Sequence, residues 1–343
     1  MSRDFTWRDA GRTVVFRRCG LGAALEVLRE YGVDEFELLS TARALAGAGG
    51  LAAAASGMHE VQAGQVPAAA GALLDALSPP HEASKGARAR PLVALGGGRV
   101  IDVAKAVAAV SGAGVVAIPT TMSSAEMTGA HRLPAGAEER VRGLVRPSLV
   151  IADPELMTSA PEAELRMSSM NALAHGADTL YLALSNPVSE WAALRGAELI
   201  SAALDQERDE RDSSALALGS PLCGYAIDSA GMGLHHLVCQ SLVRFCGTPH
   251  AGTNAAILPH SVELLAGRAP EPYDRFAAAI GTDRAGLASR IEALGRPRSL
   301  SNQGADASKL DDAIEAMLKR PELQSIPQPP DREELRELVR SAW

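Results

Sequence analysis

Pro91-Leu-Val-Ala-Leu-Gly-Gly-Gly-Arg-Val-Ile-Asp-Val-Ala-Lys105 joins a short apolar run to a helical one through three consecutive glycines. Residues 91–95 predict a buried strand and residues 100–110 a helix. Between them, Gly96, Gly97 and Gly98 let backbone amides approach an anion, and the helix that follows offers its positive end. That is the make-up of a phosphate cradle, although the spacing is not GxGxxG and a plain strand-to-helix turn would read similarly. Arg99 either adds charge to a bound pyrophosphate or is a solvated residue at the helix start.

Further along, residues 115–118 form a second apolar run, closed by Pro119-Thr120-Thr121. Ligands of open α/β sheets gather at the C-terminal ends of strands, so Thr120 and Thr121 join the glycines as candidate cofactor contacts. Upstream, residues 12–18 and 36–41 read as strands, with helices over 23–31 and 66–77. Residues 42–57 read as a loose helix and 78–90 as a loop; one more strand is expected at 149–151. Strands alternating with helices predict a parallel sheet covered on both faces. From Pro161 onward the pattern is helical. The boundary falls near Asp153, giving an α/β dinucleotide-binding domain over 1–153 and an all-helical domain over 154–343. The 321–330 stretch is Pro-rich and expected to be irregular, ahead of a closing helix from Arg332. The second strand ends in Ser40-Thr41, where a carboxylate would bind the ribose hydroxyls and repel a 2′-phosphate. Thr41 does neither strongly, so NADH and NADPH both stay open.

Composition narrows the partners. Of 343 residues, 47% are hydrophobic and 22% charged, which is globular; aromatics are only 3%, so the core is built from Ala, Val and Leu. A net charge of -8 argues against a nucleic-acid partner and leaves room for a local basic pocket that takes a small anionic substrate. The most apolar stretch, 92–119, is broken by Arg99, Asp102 and Lys105, so no membrane span is expected. The N-terminal residues are too charged for a secretory signal, which points to the cytoplasm. Cys19, Cys223, Cys239 and Cys246 form no regular framework and read as reduced thiols, with Cys239 and Cys246 flanking a histidine-rich region.

That region carries the chemistry. Asn171-Ala-Leu-Ala-His175 projects two polar ends from one helix face. His235-His236-Leu-Val-Cys239-Gln240 repeats the four-residue spacing, and Thr248-Pro249-His250 suits the start of a new helix. Imidazoles delivered from separate elements make a metal or proton-transfer site, but the fourth position holds neutral Asn171. Asp178, one turn beyond His175, is a candidate acceptor that fixes an imidazole tautomer, or a surface cap. Cations for substrate carboxylates could come from Arg132, Arg140, Arg142 or His235.

Together these stretches resemble the iron-containing alcohol dehydrogenase family. The residues that carry the resemblance are Gly96-Gly-Gly-Arg-Val-Ile-Asp102-Val-Ala-Lys105, Pro119-Thr-Thr-Met-Ser-Ser-Ala-Glu126-Met-Thr128, Asp153-Pro-Glu-Leu156, Met170-Asn-Ala-Leu-Ala-His175, and Leu234-His-His through Pro249-His250. Within the family the chain is most similar to the maleylacetate reductases. The resemblance implies a Rossmann-like parallel-sheet domain followed by a helical domain, as in the dehydroquinate synthase-like fold, with the active site between them, in a homodimer. It implies that Gly96, Gly97, Gly98, Arg99, Asp102, Thr120, Thr121 and Thr41 hold NADH or NADPH. His175, His236, His250 and Asn171 are the implied catalytic residues. In metal-dependent members the three histidines match ligands of iron or zinc and Asn171 matches an Asp, so the metal is left open. The implied activity is NAD(P)H-dependent reduction of maleylacetate, or a related unsaturated keto diacid, to 3-oxoadipate in aromatic catabolism. The alternatives are a metal-dependent alcohol or aldehyde reductase and a relative recruited to non-redox chemistry or binding. The chain departs from the family pattern at Arg99, Met122, Gln240 and Asn254, which bears on substrate more than on fold.

Overall fold

The apolar run at 91–95 becomes an interior strand of a six-stranded, all-parallel sheet. The structure, a computed structural model, describes residues 11–18, 20–77 and 89–343. In chain order the strands are β1 (Thr13–Phe16), β2 (Glu37–Ser40), β3 (Gly57–Glu60), β4 (Leu92–Gly96), β5 (Val115–Pro119) and β6 (Leu149–Ala152). Across the sheet they lie β1-β6-β5-β4-β2-β3. Helices of this unit are α1 (Gly20–Glu30), α2 (Ala42–Leu45), α3 (Gly49–Ala54), α4 (Val66–Leu77), α5 (Gly98–Ser111) and α6 (Pro154–Met157). Alternate residues of β4 serve different cores: Leu92 and Ala94 pack with Leu73 of α4 and Val107 of α5, whereas Val93 and Leu95 pack with Val27 and Leu28 of α1. A strand buried on both faces needs no polar alternation, which is why it reads as a continuous apolar run.

Strand order fixes where a ligand can sit. The chain leaves β2 toward β3 on one side and leaves β4 toward β5 on the other, while β2 and β4 are direct neighbours. Their C-terminal ends therefore flank the topological switch point, the crevice where doubly wound sheets bind nucleotides. Ser40 ends β2 there and donates from Oγ to Leu95 O at 2.8 Å.

The expected loose helix at 42–57 is instead α2, α3 and the edge strand β3. Thr41 caps α2 by accepting from the Ala44 amide. Strand β3 alternates between half-buried and exposed residues, so it offers no apolar run to read. Cys19 and most of the 78–90 loop lie outside the described residues.

The described chain divides into two units: residues 11–121 with Ala125–Ser159, and Met122–Ser124 with Ala160–Trp343. The second unit is helical: α7 (Glu162–Thr179), α8 (Pro187–Leu204), α9 (Ser213–Ala230), α10 (Leu234–Phe245), α11 (His250–Arg268), α12 (Pro270–Ala279), α13 (Leu287–Gly295), α14 (Leu310–Leu318) and α15 (Arg332–Ser341). A 3-10 turn over Pro321–Ser325 precedes α15. Helix α7 is the hub, packed by α8, α9, α11 and α13 and buried on nearly every side. Its first turn is tied by Glu162, which accepts from Arg166 and Arg211; the Arg211 hydrogen bond leads in holding that carboxyl down at about 2. Among the described residues no helix is long and apolar enough to cross a membrane.

Candidate active site

Asn171, His175 and Asp178 stand at i, i+4 and i+7 on α7, so one helix face presents all three. Each is buried. Asn171 donates from Nδ2 to Ser123 O at 2.8 Å, and its Oδ1 is buried with no partner. The Met122–Ser124 tripeptide is fixed by Ser124, whose Oγ contacts Ser220 O at 2.9 Å and whose φ of 59° lies in the left-handed region. Such backbone strain persists only where surrounding contacts over-determine it.

His236, 3% exposed near the start of α10, meets this face. A carboxylate can only accept, so His236 donates from Nδ1 to Asp178 Oδ2, at 2.7 Å. Its Nε2 is buried with no hydrogen-bond partner. The ring stacks on His175, with centroids 4.6 Å apart and planes 8° from parallel, and His235 meets it edge-on at 5.1 Å. Asp178 also accepts from the amides of Gly233, His235 and His236, and from the Tyr181 hydroxyl at 3.0 Å. Burial alone would raise the Asp178 carboxyl, but the hydrogen bond and charge of His236 outweigh it and hold the group below the ordinary carboxylate value. Gly233 makes this possible: a Cβ there would stand 2.8 Å from Asp178 Cγ.

His235 does not fit the role of a substrate cation. It is 1% exposed, and burial, with the charge of His236, pushes it down to about 3, so it is neutral at working pH. Its Nε2 donates to Asn254 Oδ1 at 2.8 Å and its Nδ1 lies 3.0 Å from Ser261 Oγ. Cys239 Sγ is 3.5 Å from that same Nε2. Cys, His and Asn are also the members of a hydrolytic triad, but there the thiol and the amide address opposite ring nitrogens. Here both address one, and burial holds the Cys239 thiol well above its ordinary value. This cluster is structural.

His250 is exposed on the first turn of α11. Of the three imidazoles that line up with metal ligands, His175 and His236 stack on each other, whereas His250 is exposed and its charge is felt at His235. A metal lies in the plane of each imidazole that ligates it, about 2.0–2.1 Å from the nitrogen. Two nearly parallel rings facing one another do not share such a point. Among the described residues no three His, Cys, Asp or Glu side chains form a metal-holding group. The neutral amide of Asn171 adds no anionic donor. As the described side chains stand, His175, His236 and Asn171 do not converge on one point for a divalent cation.

A dinucleotide does suit the α/β unit. Gly97 is the N-cap of α5, with no side chain bonded to the first-turn amides. A Cβ at Gly97 would fall 3.0 Å from Thr121 Cγ2, so only glycine leaves the turn open beside Thr121. The Thr120 amide donates to Gly96 O at 3.0 Å, locking the two turns together. Arg99 is exposed at the start of α5. Asp102 is occupied elsewhere: it pairs at 2.8 Å with buried Lys105, whose Nζ also donates to Ala125 O and Thr128 O. Through Lys105 it is tied to the 125–128 segment. Thr41 Oγ1 accepts from the Ala44 amide at 3.4 Å and keeps its own O–H to donate, and Gln240 accepts from Arg320 at 2.9 Å.

The described chain joins a parallel sheet with a nucleotide-type switch point to a helical unit with a buried imidazole pair. Comparison makes this specific. Residues 166–343 match the Fe-containing alcohol dehydrogenase family, C-terminal, and residues 21–161 match Iron-containing alcohol dehydrogenase; the chain belongs to that family. It is 34% identical over 259 residues to a maleylacetate reductase of Burkholderia cepacia, covering 73% of each chain. A maleylacetate reductase of Rhizobium sp. (strain MTP-10005) is 30% identical, over 99% of this chain and 97% of the relative. The crystal structure of maleylacetate reductase from Agrobacterium tumefaciens superposes with a TM-score of 0.83 at 29% identity, covering 100% of this chain and 99% of the other.

Proposed function

We propose that the protein reduces maleylacetate, or a related unsaturated keto diacid, to the saturated keto diacid with NADH or NADPH. The observation that carries this reading is the buried, unpartnered Nε2 of His236, stacked on His175 in a site where the position of the family's Asp is held by neutral Asn171. Reduction of a simple carbonyl builds an alkoxide that generally needs a Lewis acid. A conjugated keto acid is different, because its own carbonyl activates the adjacent double bond. When bound, the reduced nicotinamide supplies the hydride. As hydride adds to the alkene carbon, the electron pair moves onto the carbonyl oxygen, and a hydrogen bond or proton from His236 Nε2 stabilises that enolate. Protonation of the α-carbon completes the saturated product. Asn171 Oδ1, buried and unpaired, can only accept, so it is kept for a hydrogen-bond donor and not for the substrate's carboxylate or carbonyl oxygens, and the glycine turn with Thr120 and Thr121 is assigned to hold the cofactor phosphates. Similarity to several maleylacetate reductases supports the substrate class.

The test is turnover of maleylacetate with each reduced nicotinamide, before and after exhaustive chelation. Loss of reduced-nicotinamide absorbance with at least one cofactor, unchanged by chelator, is expected. No turnover with either cofactor overturns the substrate assignment, and activity that chelator removes and zinc or iron restores overturns the metal-free route.

A further inference from the structure

Asp178 lies three residues from His175 in sequence, yet the histidine it binds is His236, on another helix. We propose that Asp178 is a positioning residue for catalysis: it fixes the tautomer and plane of His236 so that Nε2, and not Nδ1, meets the substrate. The proposal rests on the reading that His236 serves the developing enolate.

Three constraints meet on this ring. The Asp178 Oδ2 contact at 2.7 Å, the shortest that Asp178 makes, demands a proton on Nδ1. A neutral imidazole then carries its lone pair on Nε2, and an imidazolium carries its second proton there; in both states the exchangeable site is Nε2. Stacking on His175 sets the ring plane, and edge contact from His235 closes a second side. Helix α7 supplies both the acceptor and the stacking plate, so rotation of the imidazole breaks contacts to one rigid element.

Asp178 itself has little freedom. Its Oδ1 takes the Tyr181 hydroxyl and the His235 amide, and its Oδ2 takes the Gly233 and His236 amides besides the imidazole. Tyr181 is in turn pinned by the Leu234 amide, 2.6 Å from its oxygen. These bonds cap the start of α10, so a carboxylate here has a structural task as well. A cap alone would be served by any acceptor at the amides. It would not need the imidazole on the same oxygen.

The experiment separates the two tasks. Nitrogen-15 histidine NMR of the wild-type protein, with the signal assigned by its loss in His236→Asn, is expected to show Nδ1 protonated and Nε2 as the exchanging site. Asp178→Asn replaces one of the two acceptor oxygens by an NH2 donor, which facing Nδ1 favours the tautomer protonated on Nε2, and Asp178→Ala removes both acceptors. Asp178→Ala is expected to lower kcat for maleylacetate about ten- to a hundredfold, the range for partners that orient a functional histidine. KM and nicotinamide affinity should stay within twofold, and His236 should show mixed tautomers. Asp178→Asn, which spares more of the helix cap, should still lose kcat and shift His236 toward the Nε2-protonated tautomer, and wild-type kcat and tautomer in Asp178→Asn would also overturn the proposal. A wild-type His236 protonated on Nε2 alone overturns the proposal, as does Asp178→Ala with lower thermal stability but wild-type kcat. Should Asp178→Ala fail to fold, the wild-type spectrum and Asp178→Asn still decide. If maleylacetate is not turned over at all, the substrate reading fails while the spectrum continues to test the positioning.

Discussion

Glu126 is the residue whose environment most contradicts its chemistry. It is fully buried, and neither carboxyl oxygen is hydrogen-bonded to a neighbour. Burial raises the group from 4.5 to about 7 against the pull of Lys105 and Arg12. In the unfolded chain it ionises near 4.5, so below that pH both states hold the proton and nothing is lost. Between about 4.5 and 7 the unfolded chain releases the proton first, and stability falls as pH rises. Above 7 the penalty is constant, at about 3 kcal/mol for a shift of this size. Glu126→Gln should therefore match the wild-type urea midpoint near pH 4 and exceed it at pH 8; parallel pH curves for the two proteins would refute the assignment. In the sequence Glu126 looks like an ordinary polar loop residue, because nothing local records that Lys105 and Arg12 draw its segment inward. Asn171 and His175 were legible, since helical spacing alone puts them on one face. The partner of Asp178 was not. The three-residue interval pointed to His175, but the contact is tertiary and depends on Gly233 admitting the carboxylate to the start of α10.

At the scale of elements, strands buried on both faces were the easiest to read, and β4 and β5 stand where their apolar runs predict them. Strand β3 was missed because a short, half-exposed edge strand buries too little to leave a hydrophobic signature. Close helix packing was equally hidden, because glycine inside a helix reads only as a weak helix former. Gly176 on α7, Gly196 on α8 and Gly219 on α9 let these backbones approach. A Cβ at Gly196 would stand 2.6 Å from Cys223 Sγ and 2.9 Å from Gly219 O. One of those neighbours is backbone, so it cannot swing aside. Gly196→Ala gains helix propensity but overpacks the α8–α9 contact, and overpacking of this kind costs about 1–3 kcal/mol. The net effect should be a lower midpoint in chemical denaturation, with Gly267→Ala, which meets nothing within 4 Å, as the stabilised or neutral control. Equal midpoints for the two variants would mean that α8 and α9 are not held as closely as their glycines imply. Because α7 packs on both helices and carries Asn171, His175 and Asp178, loosening here should also lower kcat at the imidazole pair.

For the molecule as a whole, the proposed cofactor contacts and the proposed proton donor belong to different units, and that separation is itself testable. Only the folded state binds nicotinamide, so a cofactor at a hundred times its Kd should stabilise the protein by about 2.7 kcal/mol. His236→Ala deletes a ring of the helical unit and leaves the β2–β4 switch point untouched. It should abolish turnover and keep the full cofactor-dependent rise in melting temperature. Gly97→Ala does the reverse: its methyl would sit 3.0 Å from Thr121 Cγ2 and 3.2 Å from Thr121 Oγ1, closing the turn that the phosphates need, so the rise should shrink or vanish. The ribose end adds a second condition. Ser40 Oγ donates to Leu95 O and Thr41 Oγ1 accepts from the Ala44 amide, and the end of β2 supplies no carboxylate to repel a 2′-phosphate. NADH and NADPH should then both raise the melting temperature, with affinities within about tenfold, or 1.4 kcal/mol, of each other. A shift lost in His236→Ala, or kept whole in Gly97→Ala, would move the nucleotide away from the triple-glycine turn and with it the hydride donor that the proposed reduction requires.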